Sequence, residues 1–315
     1  MLPEVVAKNG FSLERLATLC AVIECGSITA AAGPSASRQS QFSRQIKELE
    51  EALGARLFDR VGKTLRPTLF GQQLARMSCS FFGAVADLAA QEVGKPETIV
   101  IGGGEAILRW VLLPCLPALR DLDPPIYCQV RSLPTAEVVR EVELGRLHFG
   151  LVRRDAVSEG LASEVIGTLQ FALVVPRVLL RGRSAEVIFE GRTLPYAELS
   201  GGGQLARLAR ETAKEAGIRL NCVLHAETLS LLLAAVEHGD AAAFLPLPAV
   251  IDLPQDRFAI VKLENIQRLN REMVLAWSPE AADHQAGLKR ALLLLSRSLQ
   301  QAMSEAGEGA KRLPR

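Results

Sequence analysis

The segment from residue 37 to residue 68 carries cations and amides with the chemistry to contact a phosphate backbone and the edges of bases. Its first part is predicted to be a helix, because four apolar residues recur with helical spacing. These residues are Phe42, Ile46, Leu49 and Leu53. Polar and charged residues fall on the opposite side: Ser40, Arg44, Lys47 and Glu51, with Ser43 beside them.

The charge order in this helix opposes the helix dipole. Arg38, Arg44 and Lys47 lie in its first part, whereas three glutamates, Glu48, Glu50 and Glu51, lie toward its end. The dipole prefers the reverse order by roughly 0.3–1 kcal/mol per well-placed charge. Cations that are kept at the N-terminal end indicate an external anion, such as the phosphates beside a major groove. Taken alone, however, the pattern favours an ordinary core helix with a solvated face.

The glycines, histidines and cysteines do not form a catalytic or metal-binding motif. The segment IGGGEA lacks the GxGxxG spacing of a dinucleotide loop, and the chain has no P-loop, nucleophile elbow or HExxH motif. Four histidines, at positions 148, 225, 238 and 284, have no metal-ligand or catalytic spacing, and the six cysteines include no CxxC pair. We therefore predict a protein that is not an enzyme and has no cofactor and no bound metal.

Composition indicates a soluble intracellular protein. Hydrophobic residues make up 49% of the 315 residues, yet no apolar run approaches the ~18–20 residues that a membrane helix needs. We read no secretory signal at the start, and scattered cysteines fit a reduced cytoplasm. The net charge is only +1, but residues 38–66 hold seven Lys or Arg against four Asp or Glu. This local excess suits a small nucleic-acid-binding module.

The elements around the long helix predict a winged helix-turn-helix over residues 12–67. Ser12 is expected to cap a first helix that ends at Gly26, and Ser27 a short second helix, ITAAA, that ends at Gly33-Pro34. After the long helix, LFDRVGKTLRPT reads as two short strands around a Gly-Lys turn, with cations along the hairpin. These cations are candidates for a second set of phosphate contacts.

A further helix is predicted over residues 68–94, before the helix breaker Gly94-Lys95-Pro96. Its apolar residues follow a heptad pattern, which is typical of a helix that packs against a partner helix. The predicted dimerisation residues are Phe70, Leu74, Met77, Phe81 and Leu88. Packing of this helix on its own domain is the alternative interpretation. The rest of the chain alternates strands with helices, which predicts an α/β region with largely parallel sheets. Residues 304–315 are expected to form a flexible tail.

The N-terminal ninety residues resemble the DNA-binding region of LysR-type transcriptional regulators, and the remainder is similar to the effector region of that family. The matching segments are GSITAAA, RQSQFSRQIKELEEALGARLFDR, IVIGGG, LLPCLPALR, ELGRLHFGLV, LVVP and AAVEHGDAAAFLP. The resemblance implies a winged-helix N-terminal domain, a long linker helix and an α/β effector region of two periplasmic-binding-protein-like lobes. The lobes would comprise residues 98–168 with 276–303, and residues 169–275. It also implies a homodimer through the linker helix, with dimers often pairing into tetramers.

On this resemblance the expected partner is double-stranded DNA with a pseudo-palindromic site. Gln39, Ser43 and Arg44 match family positions that approach bases and phosphates, whereas Gly33-Pro34-Ser35 departs from the family pattern before the helix. The complete set of predicted DNA-contacting residues comprises Arg38, Gln39, Ser40, Gln41, Ser43, Arg44, Lys47, Arg60, Lys63, Thr64 and Arg66.

A small-molecule effector is expected in a cleft between the lobes, at the C-terminal ends of the strands. The candidate residues are Gly103, Gly104, Glu105, Arg131, Ser132 and Arg153 from the first lobe, and Gly202, Gly203, Gln204, His225, Thr228 and Phe244 from the second. Arg131 and Arg153 would bind an acidic effector. For Glu105 two interpretations stay open: it caps its own helix, or it disfavours a simple carboxylate effector.

The sequence therefore predicts a sequence-specific DNA-binding transcriptional regulator whose arrangement on DNA responds to an effector. A regulator that needs no ligand and uses the α/β region for assembly is an alternative. A solute-binding protein is a third interpretation, against which the basic N-terminal module argues.

Overall fold

The computed structural model describes residues 4–61, 64–92, 97–182, 193–201, 203–261, 263–284 and 286–312. Its N-terminal part is a helical domain with a two-stranded wing. The elements are α1 (Glu4–Ala7), α2 (Leu13–Cys25), α3 (Ile28–Ala32), α4 (Ala36–Leu53), β1 (Phe58–Val61) and β2 (Thr64–Pro67). Ser12 and Ser27 cap α2 and α3 as predicted, since each side chain accepts a backbone N–H three residues on. Helix α3 ends before Gly33-Pro34, also as predicted.

Helix α5 (Leu69–Glu92) leaves this domain and packs its first half against α2. Gly71 permits the close approach, because a Cβ atom there would lie 2.2 Å from the carbonyl oxygen of Leu57. Ala75 is fully buried in the same contact. The position and direction of α5 relative to the winged-helix domain are therefore fixed by this packing.

The first lobe is built on a five-stranded sheet of order β4-β3-β5-β12-β6. Its strands are β3 (Glu97–Gly103), β4 (Ile126–Ser132), β5 (Phe149–Arg153), β6 (Ala162–Leu169) and β12 (Arg271–Trp277). Its helices are α6 (Glu105–Ile107), α7 (Leu113–Arg120), α8 (Thr135–Glu143), α13 (Pro279–His284) and α14 (Ala286–Arg312), and a π-helical turn over Leu108–Leu112 joins α6 to α7.

The second lobe contains an antiparallel sheet of order β10-β7-β11 and the parallel pair β8-β9. Its elements are β7 (Phe171–Pro176), α9 (Arg177–Leu180), β8 (Thr193–Leu199), α10 (Gln204–Glu215), β9 (Arg219–Ala226), α11 (Leu229–His238), β10 (Ala243–Pro246), α12 (Leu247–Val250) and β11 (Phe258–Val261). An isolated bridge between Tyr196 and Ala242 joins the two sets of strands.

Three sequence-based expectations differ from this architecture. Strand β12 pairs antiparallel with β5 and β6, so the first lobe takes up the chain again at Arg271 rather than at residue 276. The sheets are also not largely parallel. Strand β7, which enters the second lobe, and strand β12, which returns to the first, each run antiparallel to both of their neighbours. Finally, α14 continues to Arg312, well into the predicted flexible tail, because Ala, Glu, Lys and Arg favour a helix enough to offset the glycines.

Candidate DNA-reading surface and interlobe cleft

The polar side of α4 is exposed to solvent, and its apolar stripe is packed against the winged-helix core. Ile46 and Leu49 are buried. The predicted contact residues that stand exposed are Arg38, Ser40, Gln41, Ser43, Arg44 and Lys47. Arg44 and Lys47 are 73% and 77% exposed, and each lies 3.7 Å from the glutamate four residues on. Such exposed pairs are weak, so both cations can turn toward an external anion.

The reversed charge order of α4 has an internal cause at its acidic end. The Glu48 carboxylate accepts a 2.9 Å hydrogen bond from Nε of Arg15 in α2, and this bond holds the pKa of Glu48 below its usual value. Glu50 accepts the backbone N–H groups of Leu57 and Phe58, at 2.7 and 3.3 Å. These two glutamates therefore join α4 to its own domain, whereas the cations of α4 stay exposed to an outside partner.

Gln39 and Gln45 have structural roles that the sequence did not indicate. Gln39, a predicted base-contacting residue, donates to the carbonyl of Gly33 at 2.9 Å and so closes the turn that precedes α4. Gln45 is buried, and its amide accepts from Thr18 and donates to Glu14, both at 2.7 Å. Neither role could be predicted from the sequence, because each depends on a partner in another element.

The wing is an antiparallel hairpin in which Arg60 pairs with Leu65 and Val61 with Thr64. Arg66 is exposed on β2. Lys63, at the predicted tip of the wing, lies outside the described residues. Arg60 and Thr64 have their backbones in the two strands, as the predicted hairpin requires.

Helix α5 presents a stripe of apolar side chains to solvent along its length. Four of the five predicted dimerisation residues are exposed: Phe70 at 41%, Met77 at 62%, Phe81 at 49% and Leu88 at 68%. Leu74 differs, because it is half-buried and packs against the core of the winged-helix domain. Leu74 is thus turned inward, as the alternative interpretation requires, whereas the other four residues point outward, and their contact with a partner helix stays a prediction.

A cavity of about 390 Å³ lies between the two lobes, where their strands end. This volume is within the ~300–1,000 Å³ range of small-molecule sites. Five predicted residues line it: Gly104, Glu105, Ser132, Arg153 and Thr228. Gln204 is adjacent, since its side-chain oxygen accepts a 2.7 Å hydrogen bond from Arg153. Lining residues that were not predicted include Thr135, Glu227, Arg271 and Met273.

Glu105 does not cap its own helix, because Gly104 is the N-cap of α6 and no side chain caps that helix. Its carboxylate reaches across the cleft and accepts hydrogen bonds from the backbone N–H groups of Leu229 and Ser230, at 2.9 and 3.4 Å, and from the Ser230 hydroxyl. It therefore caps α11, the helix of the opposite lobe, where free N–H groups and the helix dipole favour an anion. Arg109 adds a 2.6 Å hydrogen bond to the same Ser230 hydroxyl.

Two guanidinium groups, those of Arg153 and Arg271, line the cavity, and Nε of Arg153 lies 3.5 Å from the Asp155 carboxylate. Burial, together with the nearby charge of Arg153, lowers the pKa of Arg271. Arg271 donates through Nη1 to the carbonyls of Arg268 and Asn270, and its buried Nη2 has no hydrogen-bond partner among the described residues. Knowing that β12 returns to the first lobe would have identified Arg271, since it begins that strand.

The remaining predicted effector residues do not line this cavity. Gly103 ends β3 just before it, and Arg131 pairs with Glu141 at 3.2 Å. Gly203 precedes α10 without lining the cavity, whereas Gly202 is outside the described residues. Phe244 is buried in the second lobe, where it packs edge-to-face on Tyr196, and His225 lies beside Glu198 and Cys222.

Comparisons with known proteins agree with this architecture. Residues 13–72 match the family described as bacterial regulatory helix-turn-helix protein, lysR family, and residues 93–294 match the LysR substrate binding domain. A probable nitrogen assimilation transcriptional activator of Synechococcus elongatus is 25% identical over 84% of this chain and 87% of its own length.

Two solved structures share the fold along nearly the whole chain. Full-length LysG from Corynebacterium glutamicum with bound effector Arg has a TM-score of 0.60 at 17% identity, covering 94% of this chain and 99% of its own. Vibrio fischeri DarR in complex with DNA has a TM-score of 0.53 at 16% identity, covering 92% and 100%. No helix in the described part of the chain is both long and apolar enough to cross a membrane. Because two family models together match most of its length, the chain belongs to the LysR family of transcriptional regulators, with a helix-turn-helix domain and an effector-binding domain.

Proposed function

We propose that this regulator binds double-stranded DNA as a homodimer and that a small acidic effector in the interlobe cavity changes its arrangement on DNA. The observation that carries the DNA part is that the cations Arg44 and Lys47 of α4 are exposed and point away from the core. A recognition helix contacts bases with its N-terminal residues, while cations on a wing contact phosphates. The DNA complex of DarR, which shares the fold, supports the same use of this domain.

The acidic character of the effector rests on Arg153 and Arg271. Both line the cavity, and an Arg271 nitrogen without a hydrogen-bond partner in the described part of the chain favours a ligand that accepts hydrogen bonds. Carboxylates pair with guanidinium groups through short, charge-assisted bonds. Arg131, the other predicted anion-binding residue, is instead committed to Glu141.

A series of ion pairs connects the cavity edge to the DNA-binding domain. Arg131, which directly precedes the cavity residue Ser132, pairs with Glu141 at 3.2 Å. Glu141 accepts a 2.9 Å bond from Arg146, whose Nη1 lies 2.5 Å from Glu24 at the end of α2. A movement of β4 or α8 on effector binding would therefore shift α2 and the recognition helix behind it. Population shift between two such arrangements is the mechanism we infer.

Dimerisation is assigned to the exposed stripe of α5. Met77, Phe81 and Leu88 leave apolar surface on one side of a long helix, and burying it against a second copy would remove this surface from water. Two recognition helices held by one dimer would meet successive half-sites of a pseudo-palindrome. We extend the proposal to pairing of dimers into tetramers, which the resemblance to the family implies.

The effector proposal is tested by thermal denaturation of the full-length protein in the presence of a panel of carboxylic acids. A compound that binds the folded state raises Tm. At a hundredfold excess over Kd, binding stabilises the folded state by about 2.7 kcal/mol. The stabilisation should be lost in Arg271→Ala and kept in Arg154→Ala, an exposed neighbour that pairs with Glu272 and does not line the cavity. If no acid stabilises the wild type while DNA binding is intact, the effector is not acidic. Consistent absence of stabilisation across a wider panel of metabolites would favour the regulator that needs no ligand.

A further inference from the structure

Three side chains of the types that ligate metals converge on one face of the second lobe, outside the cleft. Nδ1 of His225 lies 3.9 Å from Sγ of Cys222 and 3.9 Å from Oε2 of Glu198. The three donor atoms all lie within 4.8 Å of one another. Cys222 and His225 are exposed, whereas Glu198 is buried at the base of the group.

A β-bulge in β9 brings these residues together. On a regular strand, residues three apart point to opposite faces, so the spacing of Cys222 and His225 indicates no shared site. Here Tyr196 pairs with Cys222 but Ala197 pairs with Leu224, which leaves Val223 as an extra residue. The extra residue turns the following side chains over, and His225 then pairs with Glu198 on the face that carries Cys222.

The buried Glu198 carboxylate is already oriented by a cation. Arg210 binds it with two hydrogen bonds, of which the one from Nε measures 2.6 Å, yet the Arg210 side chain is 60% exposed. A guanidinium of this kind can move into solvent when a stronger cation arrives. Thiolate and carboxylate together would neutralise a divalent ion, which also offsets the loss of the arginine.

We propose that Glu198, Cys222 and His225 form a binding site for a divalent transition metal of the zinc class. Thiolate, imidazole and carboxylate are the ligands that Zn²⁺ takes, and three protein ligands leave a fourth tetrahedral position for water. Zinc bond lengths place neighbouring donor atoms about 3.4–3.6 Å apart. The observed separations of 3.9 Å therefore close with a small rotation of the exposed imidazole.

The site borders the effector cavity through the chain. Leu199 and Glu227 line the cavity. Glu198 immediately precedes Leu199, and His225 lies two residues before Glu227. A bound ion would hold the C-terminal ends of β8 and β9 together, beside the proposed effector. The binding itself is independent of both DNA and effector, so it is tested with the metal alone.

The experiment is a Co²⁺ titration of reduced, chelator-treated full-length protein, followed by competition with Zn²⁺. We expect one equivalent of Co²⁺ to give a near-ultraviolet thiolate charge-transfer band that Zn²⁺ abolishes. Cys222→Ser should remove the band, and His225→Gln should weaken binding at least about tenfold. Cys25→Ser and His238→Gln, at two other exposed positions, should leave the titration unchanged.

Arg210→Ala gives a second, signed test, because removal of the competing guanidinium should tighten metal binding. Cys222→Ser changes an exposed side chain, so a circular-dichroism spectrum identical to that of the wild type will show that its fold is kept. Absence of a thiolate band in the wild type would overturn the proposal. A band that persists in Cys222→Ser would overturn it as well, since the ion would then bind another cysteine.

Discussion

Glu105→Gln perturbs the contact that joins the two lobes across the cleft. The wild-type carboxylate accepts the N–H groups of Leu229 and Ser230 at the start of α11, at 2.9 and 3.4 Å. Glutamine keeps the length of the side chain and one acceptor oxygen but loses the negative charge. The substitution therefore isolates the electrostatic part of the contact.

The expected cost follows from the geometry of this cap. A hydrogen bond to a charged group contributes about 1.5–3 kcal/mol, and an anion at a helix N-terminus contributes about 0.3–1 kcal/mol. Glu105 is half-exposed, so solvent screening reduces both values, and Arg109 continues to bind the Ser230 hydroxyl. We expect a loss of about 1 kcal/mol in the contact, which corresponds to about a fivefold change in an equilibrium constant.

Hydrogen exchange of the Leu229 and Ser230 amides measures this loss directly. In Glu105→Gln both amides should exchange about fivefold faster, whereas amides in β3 and β5 should keep their protection. Glu227→Gln is the matched control, because Glu227 also lines the cavity but is not a hydrogen-bond partner of these two amides. Unchanged exchange in Glu105→Gln would refute the assignment of Glu105 as the cap of α11. High salt should reduce the difference between variant and wild type.

Three further predictions concern the DNA-reading surface, the dimer and pH. Arg44→Ala should weaken binding to the specific site by about 1–3 kcal/mol, or about 5- to 150-fold, in fluorescence anisotropy at physiological salt. Met77→Glu with Phe81→Glu should give monomers in sedimentation at micromolar concentration, because two charges would enter the proposed interface. Burial favours a higher pKa for Glu141, but the hydrogen bonds and charges of Arg146 and Arg131 outweigh burial, and the net pKa is lowered. Glu141 therefore contributes stability above about pH 4, and this contribution is lost as the pH falls. Thermal melting from pH 7 downward should therefore show a smaller acid destabilisation in Glu141→Gln.

Each of these predictions has a control. Arg120→Ala, an exposed arginine of the first lobe, should leave DNA binding intact, and an equal loss there would remove Arg44 from the reading surface. Leu293→Glu changes an exposed apolar residue of α14 and should leave the dimer intact. A dimer that survives both charges on α5 would favour packing of this helix within one chain. An acid profile of Glu141→Gln that matches the wild type would show that this carboxylate does not govern acid stability.

The N-terminal domain was largely predictable because its signals are local. Ser12 and Ser27 cap helices through atoms three residues away, and Gly33-Pro34 ends a helix by its own backbone constraints. The heptad pattern of α5 could also be recognised in the sequence. It placed Leu74, which packs inward, in the same set as Met77 and Phe81, which are exposed. That distinction depends on where α2 lies, which the pattern of one helix does not record.

The interlobe region depended on contacts that join distant parts of the chain. Glu105 caps a helix that begins more than a hundred residues later, and Arg271 lines the cavity only because β12 returns to the first sheet. Cys222 and His225 share a face because of one extra residue in β9. Residue types and periodicity determined which segments form helices and strands and which face of α4 carries exposed cations. Only the tertiary structure decided which charged groups meet, because a carboxylate, guanidinium or thiol acquires its role from the partner that long-range packing places beside it.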